Sequence, residues 1–252
     1  MTIDAATPHG SLEPPATRRG TLPVIEVFHS IQGEGARTGE PATFIRLAGC
    51  NLRCTWCDTP YSWNSEGVSA ATPTPIDELA AQVRERAVVL TGGEPMLHRR
   101  RMGDLIAAMR AGGVDHVTVE TNATIWDPSL ARDVDLWSLS PKLPGSGEVA
   151  DIGMIRQYIH GAPGRVQLKF VVTTARDYAA MWELLERVDA LLPDPIVVQP
   201  DGTRTDYDAA LRELIERVMI DDIEWQGRSR RSFVRVMSQV HRVAWGPAAR
   251  GV

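Results

Sequence analysis

No stretch of this sequence stays apolar for the roughly 20 residues that a membrane-spanning helix requires, which argues against a membrane protein. The N-terminus also lacks the positive start and apolar centre of a secretory signal. Residues 1–20 are instead rich in Pro, Thr, Ala and Gly, which predicts a flexible extension ahead of one domain over 21–252. Positive charge is not in excess: Lys and Arg number 27 against 32 Asp and Glu, a net charge of −5. That balance gives no broad field for nucleic acid or an anionic membrane. The short basic run of Arg228, Arg230 and Arg231 predicts a solvated loop. Together these absences point to a cytoplasmic protein. No internal repeat and no long linker is found. Cysteine is scarce, with three in the chain and all within eight residues. A disulfide framework would spread its pairs, so these were placed for something local.

What is present is alternation. Apolar, β-branched runs at 24–29 and 43–47 predict strands. The spacing over 74–86 predicts a helix, with Thr74 as cap, Pro75 at the first helical position and Ile76, Leu79, Ala80 and Val83 as its stripe. Further strands are expected at 87–91, 116–121, 135–140, 166–173, 196–199 and 233–239. Helical stripes run through Leu105, Ala108 and Met109, through Ile152, Ile155 and Ile159, from Tyr178 to Leu192, and from Tyr207 to Val218. Such alternation predicts an α/β fold with a largely parallel sheet and outer helices. The strand ends carry polar groups: Gly92-Gly93-Glu94, Asn122, Pro141-Lys142 and Pro200-Asp201. Barrel folds place their chemistry at that edge.

The three cysteines form Cys50-x3-Cys54-x2-Cys57. One short loop can wrap three thiolates around a compact object. Ferredoxin-type clusters take four cysteines, so a [4Fe–4S] cube held here leaves one iron open, as S-adenosylmethionine chelation requires. Structural zinc, completed by His29, His98 or His241, is the alternative.

With Trp56 before the last cysteine, this motif resembles that of the radical S-adenosylmethionine superfamily, and Gly92-Gly93-Glu94-Pro95 resembles its second motif. The resemblance implies a partial, open TIM-like barrel. Three more segments resemble the 7-carboxy-7-deazaguanine synthase family: residues 28–35 around Gln32-Gly33-Glu34, then Cys57-Asp58-Thr59, and then residues 138–142. It extends from about residue 21 to 247, with 113–192 matched mainly by layout. A glycyl-radical-enzyme activase shares the start of the cysteine motif and is the rival enzyme class.

Family membership implies radical ring contraction of 6-carboxy-5,6,7,8-tetrahydropterin with loss of ammonia, on the way to 7-deazapurines such as queuosine. It implies cluster ligation by Cys50, Cys54 and Cys57, and Mg²⁺ held by Thr59. Cofactor contacts are implied for Trp56, Cys57, Asp58, Gly93, Glu94, Ser140, Pro141 and Lys142. Substrate contacts fall to Ile31, Gln32, Gly33, Glu34, Arg46, Thr91, His241 and Pro247. A carboxylate or backbone carbonyls suit the pterin N–H donors, and a guanidinium suits the substrate carboxylate. An external flavodoxin- or ferredoxin-like electron donor and a homodimer are also family expectations. The chain departs from the pattern at Ala123, where relatives often carry Gly, which makes a left-handed turn less expected there. It departs again after Pro247, where residues 248–252 run on. Lys169, mid-strand, receives no role.

Overall fold

A computed structural model describes residues 20–188, 192–193, 195–247 and 249–251. The expected extension lies outside them apart from Gly20. In chain order the strands are β1 (Thr21–Ile31), β2 (Pro41–Leu47), β3 (Thr72–Pro75), β4 (Ala87–Gly92), β5 (His116–Thr121), β6 (Leu136–Leu139), β7 (Val166–Val171), β8 (Ile196–Gln199), β9 (Glu224–Trp225), β10 (Arg228–Ser229) and β11 (Val234–Val236). The helices are α1 (Ser65–Ala70), α2 (Ile76–Ala81), α3 (Arg99–Ala111), α4 (Ile152–Gly161), α5 (Ala175–Val188), α6 (Tyr207–Met219) and α7 (Val240–Trp245).

Among the described residues one sheet of nine strands has the order β11-β8-β7-β6-β5-β4-β2-β1-β3. From β2 to β11 every pairing is parallel, and only β1 runs antiparallel to its neighbours β2 and β3. The order begins at β11 and ends at β3, so the barrel is open. Side chains alternate across each strand. Ile45, Leu47, Val88, Leu90, Val117, Val119, Leu168, Phe170 and Val198 join the main core together with residues of the helices. The other face looks inward. There Ala42, Phe44, Ala87 and Val89 form a small second core, with Phe28 stacked on Phe44 at 4.8 Å. Along β7, Gln167 and Lys169 share the phase opposite to Leu168 and Phe170, and both are buried.

Several expected boundaries move, each for a hydrogen-bonding reason. Thr74 does not cap a helix; it pairs with Leu22 in the antiparallel β1–β3 ladder. The helix therefore starts at Ile76, with Pro75 as its cap residue, and ends at Ala81. Beyond it, the Thr43 hydroxyl receives the N–H groups of Arg84 and Glu85. The strand expected over 233–239 is cut to β11. A 3₁₀ turn holds Arg230–Phe233, and Gln239 caps α7 instead of extending β11. Gln239 donates its N–H to the Tyr207 hydroxyl, and Val240 donates to the Gly33 carbonyl, so the chain turns back over the loop after β1. β7 stops at Val171 because the Thr173 N–H goes to the Asp177 carboxylate. The described part of α5 ends at Val188, and the expected stripe over 189–191 lies outside the described residues.

The basic run is exposed at Arg228 and Arg231, as expected, while Arg230 is half-buried. Arg230 stacks on Trp182 and pairs with Glu186, while Arg231 bonds the Met219 carbonyl and Asp222. Ala123 does take the left-handed conformation, at φ 63°, although it is not glycine. Its N–H reaches the Thr121 hydroxyl, and Asn122 Oδ1 accepts from Thr124, so the local bonds hold the turn.

Candidate active site

At the carboxyl ends of the parallel strands the inner face opens into a cleft of about 250 Å³. Cys50, Cys54, Trp56, Cys57, Asp58 and Thr59 line it, as do Gly93, Ser140, Lys142, Ile31, Gln32, Gly33, Glu34, Arg46, Thr91, His241 and Pro247. Two expected contacts, Glu94 and Pro141, are not on that wall.

The cysteine loop lies against the end of β4. A Cβ on Gly93 would come within 2.3 Å of the Gly49 carbonyl and 2.8 Å of Cys50 Cβ. Only glycine allows that approach. Glu94 secures the same corner: its carboxylate accepts from Met96 N, Thr121 Oγ1 and Asn122 N at 2.7–2.9 Å. Burial pushes this carboxyl above its usual value, against those bonds. Glu94 is thus a brace that positions Asn122, which lines the cleft.

The three thiols are free. Burial pushes the Cys50 thiol up to about 12, and the negative charges of Glu94, Cys54 and Cys57 push the same way. Crowding of this kind favours a cationic metal centre that takes the sulfurs as thiolates. N–H groups point at the sulfurs as well: Trp63 Nε1 lies 3.2 Å from Cys57 Sγ and Leu52 N 3.4 Å from Cys50 Sγ. Such bonds accompany iron–sulfur ligation. Among the described residues no three His, Cys, Asp or Glu side chains converge as the shell of a single ion. A four-iron cube spreads its thiolates over separate irons and does not ask for that convergence. The donor set therefore fits the cluster. Lys142 stands beside it, bonded to Ser140 Oγ at 3.1 Å and 5.1 Å from the Trp56 ring centroid.

Carboxylates and amides dominate elsewhere in the cleft. Glu34 forms an ion pair with Lys169, accepts from Gln239 Nε2 at 2.5 Å and lies 3.9 Å from His241 Nε2. Burial by itself pushes the Glu34 carboxyl up. The charges of Lys169 and His241 and the bonds from Lys169 and Gln239 outweigh it, bringing the carboxyl from 4.5 down to about 2. Glu120 accepts from Gln32 Nε2 at 3.2 Å and Thr91 Oγ1 at 3.1 Å, and lies 3.7 Å from Lys169 Nζ. Arg46 donates Nε to Glu26 at 2.7 Å and stacks near Phe28 and Tyr61. Glu120 and Lys169 were not assigned from the sequence. The available signal was phase: Lys169 alternates with Leu168 and Phe170, and Glu120 with Val119 and Thr121.

An open barrel with three crowded thiols and a glycine-rich strand end defines a radical S-adenosylmethionine enzyme, and the Radical SAM superfamily profile matches residues 44–137. The cofactors of that class are a [4Fe–4S] cluster and S-adenosylmethionine, and Cys50, Cys54 and Cys57 are the thiols this chain offers the cluster. The 7-carboxy-7-deazaguanine synthase of Rhodopirellula baltica is 35% identical, over 90% of this chain and 96% of the relative. That of Pyrobaculum aerophilum is 34% identical, over 89% and 95%. The crystal structure of QueE from Escherichia coli superimposes with a TM-score of 0.61 at 27% identity, covering 88% of this chain and 95% of that one. The chain belongs to the 7-carboxy-7-deazaguanine synthase family.

Proposed function

We propose that the protein converts 6-carboxy-5,6,7,8-tetrahydropterin to 7-carboxy-7-deazaguanine with loss of ammonia, a radical lyase step in 7-deazapurine and queuosine biosynthesis. One observation carries this reading: three thiols, a Gly-Gly strand end and two carboxylates gathered around one buried lysine share a single cleft. When bound, the cluster and S-adenosylmethionine supply a 5′-deoxyadenosyl radical able to abstract a hydrogen atom from the substrate.

The chain's residues divide the remaining work. Glu34, Gln32 and the backbone of Ile31 and Gly33 accept the N–H groups of the pterin pyrimidine ring. Thr91, His241 and Pro247 close around that ring, and Arg46 balances the substrate carboxylate. Thr59 would offer a hydroxyl oxygen to Mg²⁺, a hard cation that would supply charge balance for substrate oxygens. Trp56, Cys57, Asp58, Gly93, Ser140 and Lys142 face the cofactor, with Glu94 and Pro141 shaping the strand ends behind them. The cleft holds the reacting carbons close together and keeps water away.

Residues 21–252 act as one domain, in the cytoplasm and as a homodimer, with a flavodoxin- or ferredoxin-like protein as electron donor and no nucleic acid involved. Among the described residues no helix is long and apolar enough to cross a membrane. The test is anaerobic: reconstituted protein, dithionite, S-adenosylmethionine and the carboxypterin, followed by chromatography. The deazapurine is the expected product. Cleavage of S-adenosylmethionine without it would remove the substrate assignment.

A further inference from the structure

Lys169 is buried at the carboxylate end of the cleft, and no role in binding or positioning has yet been assigned to it. It stands on the inward phase of β7, only 6% exposed, between a carboxylate from the loop after β1 and another from β5. Its ammonium pairs with Glu34 and lies 3.7 Å from Glu120 Oε1. Each carboxylate also holds neutral donors: Gln239 on Glu34, Gln32 and Thr91 on Glu120. We propose that Lys169 is a positioning residue which keeps Glu34 and Glu120 ionised at the same time, so that both remain acceptors for the N–H groups of the substrate ring. The substrate part of this rests on the pterin reading; the charge part does not.

Two carboxylates that share a largely enclosed site repel each other, and a cation between them favours the state in which both are ionised; without it one of them takes up a proton more readily. A protonated carboxyl presents O–H where a substrate N–H needs an acceptor, and the contact is lost. The other groups facing this cluster do not replace Lys169. His241 lies 3.9 Å from Glu34 on α7, and Tyr207 on α6 adds a phenol. Asp58, in the cysteine loop, is a further negative charge that acts on Lys169. The net effect on Lys169 is upward: burial works against its charge, but Glu34, Glu120 and Asp58 outweigh burial, so it stays charged.

The experiment is an anaerobic infrared pH titration of the cluster-loaded protein without substrate, from about pH 4 to about pH 9, reading the carboxylic-acid C=O band. In Lys169→Met that band is expected to persist to a pH at least about two units higher than in the unaltered protein. Lys169→Arg keeps the cation and is expected to titrate as the unaltered protein does. Lys169→Met combined with Glu120→Gln removes one negative charge along with the positive one, and is expected to bring the midpoint back down.

A folded Lys169→Met protein, judged by its cluster absorption and circular dichroism, whose band is unmoved would overturn the proposal. So would a double variant that titrates no lower than the single one. Should Lys169→Met not fold, the Arg variant decides the matter: an intact Arg variant that shows the raised band refutes the role. Carboxypterin binding then supplies the functional half: Lys169→Met should bind at least about tenfold more weakly near pH 7 and recover as pH rises. If even the unaltered protein ignores the carboxypterin, the substrate reading falls while the infrared result still decides the role of Lys169.

Discussion

The cysteine cluster draws its three thiols from eight consecutive residues, whereas the carboxylate cluster assembles Glu34, Glu120, Lys169 and Gln239 from four separate parts of the chain. Glu34 and its partner Gln239 are 205 positions apart. The first cluster is a property of a loop, seated on the glycine-rich end of β4. The second exists only once β5, β7 and α7 have all been placed around the loop after β1. Damage to the loop should therefore abolish the metal centre and leave the fold, while damage to the carboxylate cluster should be felt in stability and substrate binding together.

The largest effect is expected at the thiols. Cys54→Ala leaves a cube only two protein sulfurs; visible absorption after anaerobic reconstitution, and with it all activity, should be lost while circular dichroism is unchanged. Retention of a full cluster spectrum would break the assignment. Gly93→Ala should come next, because its Cβ would lie 2.3 Å from the Gly49 carbonyl and displace the cysteine loop. Iron content per chain measures this, and a clear fall is expected without global unfolding.

Glu34→Gln tests the other cluster. It removes the closest negative partner of a buried lysine, which costs about 3 kcal/mol in comparable buried pairs, readable by denaturant unfolding. The same carboxyl gives a pH signature. Its folded value is depressed to about 2 from an ordinary 4.5, so its contribution to stability is complete above 4.5 and fades as pH falls toward 2. Stability should drop through that window in the unaltered protein and drop less in Glu34→Gln.

Thr59→Ala should be milder: the cluster spectrum stays, and the Mg²⁺ stimulation of turnover disappears. An unchanged Mg²⁺ response would remove Thr59 from the metal. The smallest effect belongs to Ala123→Gly. Relief of the left-handed strain at φ 63° is offset by a lost buried methyl and a freer unfolded chain, so the unfolding free energy from a denaturant titration should change by less than about 1 kcal/mol.

Much of the site was legible in the sequence because its signals are local. Three cysteines at fixed spacing, a Gly-Gly-Glu strand end and alternating segments all act over a few residues, and the parallel α/β order follows from them. The boundaries that moved were set by distant partners. Thr74 had a good capping context, yet its backbone pairs with Leu22. The 233–239 run had strand composition, but Tyr207 takes the N–H of Gln239 and Gly33 that of Val240, so the strand ends early and α7 follows. Glu94 sat in a recognised motif, and burial made it a brace behind the wall.

Chain composition and spacing were enough to mark Cys50, Cys54 and Cys57 as one local metal-binding trio, with zinc left as the alternative to a cluster, because a loop's reach is governed by covalent geometry. Which way Lys169 points, and that it stands between two carboxylates, emerged from the packing of β5, β7 and the loop after β1 around one cleft. Strand phase allows a side chain to face either way, and the energy that decides is the cost of burying a charge without its partners. Those partners, Glu34 and Glu120, arrive from elsewhere in the chain.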